Sequence, residues 1–187
     1  ISRTILPVVS QSDLFPGAGS QTGIGDIVQS AFFSPKAPTP AGWIWGVGPV
    51  FLLPTGSNDL LTTDQWGAGP PAVVLKQAGP WTYGVLGNHL WSFAGEDARG
   101  DLSATFVQPF LTYGTPTGWA YTLQTESTCD WNSVQWSVPV NASASKLLRF
   151  GTQLVSVGGG VRYWLDSPDS GAEGFGHRSF PIYTHTH

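Results

Sequence analysis

A chain of 187 residues with a formal net charge of −4 is long enough for one domain with a sizeable core, and it shows no basic stripe for nucleic acid. Only 11% of it is charged, against roughly 25% in a typical soluble domain, while 13% is aromatic with nine Trp, so a water-facing surface would be short of charge. No run reaches the 18 apolar residues of a membrane helix, and any crossing of a bilayer therefore falls to strands paired edge to edge.

In chain order, ISRTILPVV (Ile1 to Val9) is strand-like and QSDLFPGAGSQT is a Gly/Ser/Pro loop. A strand over 24–33 and a proline-dense loop over 34–42 come next. Three long strands follow, at 43–53, 65–77 and 80–93, broken by PTGSND and by Ala78–Gly79. In the first of them Trp43, Trp45, Val47, Pro49, Phe51 and Leu53 recur at every second position, with Gly46 and Gly48 between them. Strands of 10 to 14 residues are about twice the usual length and match what a tilted strand needs to cross a bilayer.

GEDARG (95–100) reads as a charged loop and Asp101 to Tyr113 as another strand, turned by GTPT. Trp119, Tyr121 and Leu123 then alternate with Thr122, Gln124 and Glu126, and Val134, Trp136, Val138 and Val140 with Ser133, Gln135 and Ser137. NASAS (141–145) is expected to turn the chain into KLLRF. The strand over 153–166 carries Val155, Val157, Val161, Tyr163 and Leu165 on one face and Ser156, Arg162 and Asp166 on the other. SPDSGAEG is a loop, and 175–183 is the last strand.

About eleven strands and no helix predict an all-β chain: a single-domain, antiparallel, up-and-down transmembrane β-barrel of about 10–12 strands, one N-terminal strand short. A β-sandwich alternates as well. Long strands, small residues inside them and aromatics near their ends (Trp43, Trp45, Trp81, Trp119, Tyr121) favour the barrel, where those rings would sit at the membrane interfaces. The chain opens on Ile1 with no Met and no leader, which reads as a mature or trimmed chain. Cys129, the only cysteine, excludes an intrachain disulfide and reads as a small residue in a turn.

The segments GIGDI (23–27), FFSPK (32–36), WGVGPVFLLPT (45–55), GAGPPAVVL (67–75), GPWTYGVLGNHLWSFAG (79–95) and QPFLTY (108–113) resemble the bacterial family named for the MetA pathway of phenol degradation. The likeness runs over roughly 1–166. It implies an outer-membrane β-barrel of transporter type, with the lipid bilayer as its partner, small apolar or aromatic molecules as its solutes, and more sequence ahead of the ISR segment. A homo-oligomer fits such a protein too.

Charge facing lipid near the midplane costs about 2–4 kcal/mol for Arg or Lys, so Lys76, His89, Glu126, Arg149, Arg162, Asp166 and Arg178 are candidates to line the lumen, or to plug it by satisfying one another. No cofactor or metal is expected: no Cys/His cluster or phosphate loop stands out, and Asp166, Asp169 and Glu173 miss the calcium-loop spacing. Catalysis is not expected either, because His89 and Ser92, three apart on a strand, point to opposite faces. RGD at 99–101 is a chance tripeptide, and His185 and His187 belong to a terminal tail. The sequence therefore predicts a non-enzymatic channel for passive uptake. The other class it leaves open is a β-rich binding or assembly protein whose Trp-bearing strands form an interface.

Overall fold

The structure, a computed structural model, describes residues 1–12, 20–57, 61–95, 101–150, 153–167 and 174–184. Those residues form strands joined by turns, and none of them is helical. Strands β1 (Ser2–Ile5), β4 (Ile27–Ala31), β6 (Val50–Leu53), β7 (Gln65–Gly69), β9 (Trp81–Gly95), β10 (Ser103–Gly114), β11 (Trp119–Thr125), β13 (Gln135–Phe150), β14 (Gln153–Asp166) and β15 (Phe175–Thr184) neighbour one another in that order. Every ladder is antiparallel. Strands β5 (Trp43–Val47), β8 (Pro71–Ala78) and β12 (Ser127–Asp130) complete this sheet, while β2 (Val8–Ser12) and β3 (Ser20–Ile24) make a separate hairpin. No ladder among the described residues joins β1 to β15.

The expected strands at 43–53 and 65–77 are each interrupted once, because Pro49 and Pro70 bring no N–H to the ladder. The interruption is local. Val47 faces Ala72 and Val50 faces Gly69, so pairing resumes in the same register, and Gly48 N donates to Pro71 O at 3.2 Å between the two. Likewise Thr125 ends β11 and Ser127 begins β12, yet both lie in one continuous run beside β10.

Other expectations change. The strand over Ile1–Val9 divides at Leu6–Pro7 into β1 and β2, the one over 24–33 is broken at Gly25–Asp26, and 20–22, expected in a loop, belong to β3. Asn141 to Ser145 is not a turn: β13 runs unbroken through it, because Asn141, Ser143 and Ser145 alternate with Ala142 and Ala144 and so continue the two-faced pattern. The chain turns instead at 131–134, where Val134 adopts a positive φ of 53°. Cys129 sits in β12, fully buried and paired with Thr105 and Trp136, rather than in a turn.

The sheet curls so far that Arg3 of β1 lines one cavity with Gln124 of β11 and Asn141 of β13. Its concave side has two halves. Around β4 to β8 it is more closely packed: Phe32, Val50 and Leu52 are buried there together with the polar Ser30 and Gln65, and the backbone of Gly46 lies against Phe32 and Val73. Phe32, Val50 and Leu52 supply the apolar part. Burying each of these side chains is worth about 1.5–3 kcal/mol. Around β10 to β14 the inward residues are polar, and here the cavity opens. The convex side carries the tryptophans.

One end of the packed half is tied down by Asp26, which lies between β3 and β4. Its Oδ1 accepts from the N–H groups of Thr55 (3.1 Å) and Gly56 (3.0 Å), and its Oδ2 from Thr63 N (2.6 Å) and Thr63 Oγ1 (2.7 Å). Burial alone would raise this carboxyl. The donors from Thr63, Thr62 and Gly56 outweigh that and hold it below the ordinary carboxylate range.

Candidate functional site

The cavity in the polar half has a volume of about 450 Å³. Its walls are the inward rows of β10, β11, β13 and β14, where Gln108, Thr122, Gln124, Ser143 and Gly160 face one another, with Arg3 on the far side. Alternation puts them there: between each pair of these polar residues stands one that faces outward, such as Leu111, Tyr121, Leu123 or Val161. Gly160 and Gly158 sit opposite Ser143 and Ser145, and a Cβ on either would come within 2.7 Å of the serine Cβ. The absence of side chains there keeps β13 and β14 in register and leaves the cavity wide.

Glu126 and Arg162, two of the predicted lumen residues, meet in this wall. Arg162 Nη2 is paired with Glu126 Oε2, Arg162 Nε donates to Asn141 Oδ1 at 2.6 Å, and Gln124 Nε2 donates to Glu126 Oε1 at 3.2 Å. The guanidinium of Arg162 also lies 5.4 Å from the ring centroid of Trp164. The Arg162 and Glu126 side chains keep 25% and 20% of their exposure, so the pair is partly shielded from water rather than sealed. Asn141 is only 5% exposed, and its Nδ2 has no partner among the described residues.

The other predicted lumen residues lie elsewhere. Lys76 pairs across the strands with Trp43 and Tyr83 on the convex face, its Nζ 5.6 Å from the Trp43 ring centroid. His89 is also on the convex face, in line with Thr105 and beside Trp91, with ring centroids 4.1 Å apart. Its Nδ1 is 2.7 Å from Thr105 Oγ1, which also accepts from Trp131 Nε1 at 2.8 Å. Asn88 and Leu90, its neighbours in sequence, face the interior. Ser92 faces inward as well, where its Oγ accepts from Leu102 N at 2.8 Å. Arg149 is exposed near the end of β13, and Asp166 is exposed at the end of β14, past a bulge that breaks the alternation expected of it. The Arg178 side chain, Arg99, Gly100, Asp169, Glu173, His185 and His187 lie outside the described residues.

The five predicted interface aromatics, Trp43, Trp45, Trp81, Trp119 and Tyr121, are all exposed on the convex face. Four of them gather at one end of the sheet. There Trp81 packs on Tyr113 with centroids 4.8 Å apart, Trp119 stacks with Tyr121 at 6.2 Å, and Lys146 Nζ stands 5.1 Å from the Trp119 centroid. A second set, Trp66, Trp91, Phe93, Trp131 and Trp136, is exposed toward the opposite end, with Val85, Leu111, Leu123 and Val161 between.

Asn141 and Arg3 were missed from the sequence. Asn141 was hidden by a turn-like composition, although the Val138–Val140–Ala142–Ala144 row beside it carries the strand signal. Arg3 stands in a short strand, and nothing local shows that the sheet curls far enough to bring it over β11. Compared with protein-family models, with curated proteins and with solved structures, the chain finds no match.

Proposed function

We propose that the sheet closes into an up-and-down β-barrel that crosses the bacterial outer membrane and passively admits small aromatic or hydrophobic molecules along the polar side of its interior. The observation that carries this is the disposition of the tryptophans: eight of the nine, all but Trp164, are exposed on the convex face, while Gln, Asn, Thr, Ser and a Glu–Arg pair face inward. A water-soluble sandwich would have the reverse arrangement.

The spacing of the aromatic sets supports a bilayer. Trp81 and Trp91 lie ten residues apart on β9, about 33 Å along a strand, and a tilt of about 40° brings their vertical separation to about 25 Å, the height of the apolar band of an outer-membrane barrel. Lys76 and Lys146, each over a Trp at one rim, sit where long cationic side chains reach back to the headgroups. The outer membrane itself and the transport role rest on the resemblance of segments such as 45–55 and 79–95 to the phenol-degradation family.

Two measurements test the proposal together. The purified chain is expected to be monodisperse only in detergent, and in a planar bilayer to give discrete conductance steps that phenols reduce. A defined oligomer that stays monodisperse in plain buffer would refute the membrane assignment and favour a protein that assembles through its Trp-bearing strands. Insertion without conductance would refute the open path.

A further inference from the structure

Arg3 lines both the polar cavity and a second, smaller one of about 190 Å³. The smaller chamber is walled mainly by apolar groups, among them Ile5, Val28, Leu90 and Phe106. The Arg3 backbone pairs with Ser30 in the ladder, but its guanidinium makes no hydrogen bond to a described residue and is drawn to Glu126, already paired with Arg162. Among the described residues two guanidiniums thus share one carboxylate, and these three groups sum to one positive charge. Asn141 adds a donor without an acceptor. Its Oδ1 is taken by Arg162, whereas Nδ2 is buried with no acceptor among the described residues. A purely structural Asn would be expected to satisfy both ends of its amide, because an unpaired buried donor is costly.

From this we infer that the interior is a binding site for a small monocarboxylate with an apolar body. The carboxylate is recognised by the Arg3 guanidinium and by Asn141 Nδ2, and the apolar body occupies the chamber of Ile5, Val28, Leu90 and Phe106. A positively charged lining suits a carboxylate, and a cation would meet the wrong sign. The inference deepens the channel assignment by naming a solute class, and rests on it for the route by which the solute arrives.

The test is equilibrium dialysis of labelled hexanoate against the full chain in non-ionic detergent at neutral pH, with protein-free micelles as the blank and hexanol and hexylammonium as comparators. Hexanoate is expected to bind saturably, one per chain, and the comparators no better than to the blank. Arg3→Gln is expected to weaken binding about tenfold or more, the scale of a lost charge-assisted contact. Asn141→Asp keeps the acceptor for Arg162 but replaces the free donor with an oxygen, and should abolish binding; Glu126→Gln removes the competing carboxylate and should tighten it. Heat-modifiable gel mobility identifies which variants are folded, and only those are compared. Hexanol bound as tightly as hexanoate, an unchanged affinity in folded Arg3→Gln, or no saturable binding to the folded parent would each overturn the site. A silent bilayer with hexanoate binding intact would overturn the channel alone, and conductance without hexanoate binding would overturn the site alone.

Discussion

Removing either partner of the Glu126–Arg162 pair should destabilise the fold unequally, and removing both should cost less than the sum. In Arg162→Met, Glu126 keeps Gln124 Nε2 and the attraction of Arg3, while Asn141 Oδ1 loses its donor. In Glu126→Gln, the Arg3 and Arg162 guanidiniums lose the carboxylate they share. Breaking a fully buried pair costs about 3–5 kcal/mol; with a quarter and a fifth of these side chains exposed, water screens part of that. The expected losses are therefore about 1–2 kcal/mol for Arg162→Met and about 2–3 kcal/mol for Glu126→Gln, with a coupling of about 1–2 kcal/mol in the double variant. Urea unfolding of each protein in the same micelles, followed by tryptophan fluorescence, measures all four corners of the cycle. If the single losses add to within about 0.5 kcal/mol, the two residues do not act as a pair and the wall of the cavity is held some other way.

Two other predictions concern one end of the sheet and the width of its cavity. Because the folded Asp26 carboxyl lies below its ordinary value, its contribution to stability is fully present above about pH 4 and is lost as pH falls through the lowered folded value. Proteolysis of the 54–64 segment should accordingly stay slow at pH 4 to 7 in the parent and be fast throughout in Asp26→Asn; equal rates for the two at pH 7 would show that the carboxylate does not hold this loop. Gly160→Val places a side chain against Ser143 in the cavity wall, so it should lower single-channel conductance and cost about 1–3 kcal/mol of stability. An unchanged conductance in a folded variant would place the path elsewhere.

Much of the strand plan was legible because its signal is local. The alternation of Trp119, Tyr121 and Leu123 with Thr122 and Gln124 sets the two faces without any knowledge of neighbours, and the structure places those residues as the pattern demands. Residue type misled where it competed with pattern. NASAS has the composition of a turn, yet its small polar residues are what a crowded inward row accommodates, and Gly158 and Gly160 across from it are the other half of that fit. Charge was a poor guide to direction. Lys76 and His89 face outward because one lies over an aromatic rim and the other is engaged by Thr105, options that a count of strand charges does not reveal. Arg3 depended on curvature, which accumulates over many strands and is encoded at no single position.

The division of the interior into a filled side and a hollow one means that any conduit is off-centre, running along β10 to β14 rather than down the middle. Phenotypes should split along that seam. Changes at Val50, Leu52 or Val73 would alter how long the protein survives heat, whereas in the proposed channel changes at Gln108, Thr122 or Ser143 would alter what passes and leave endurance nearly untouched. Selection for a new cargo could thus work on one flank without disturbing the buttress that holds the other.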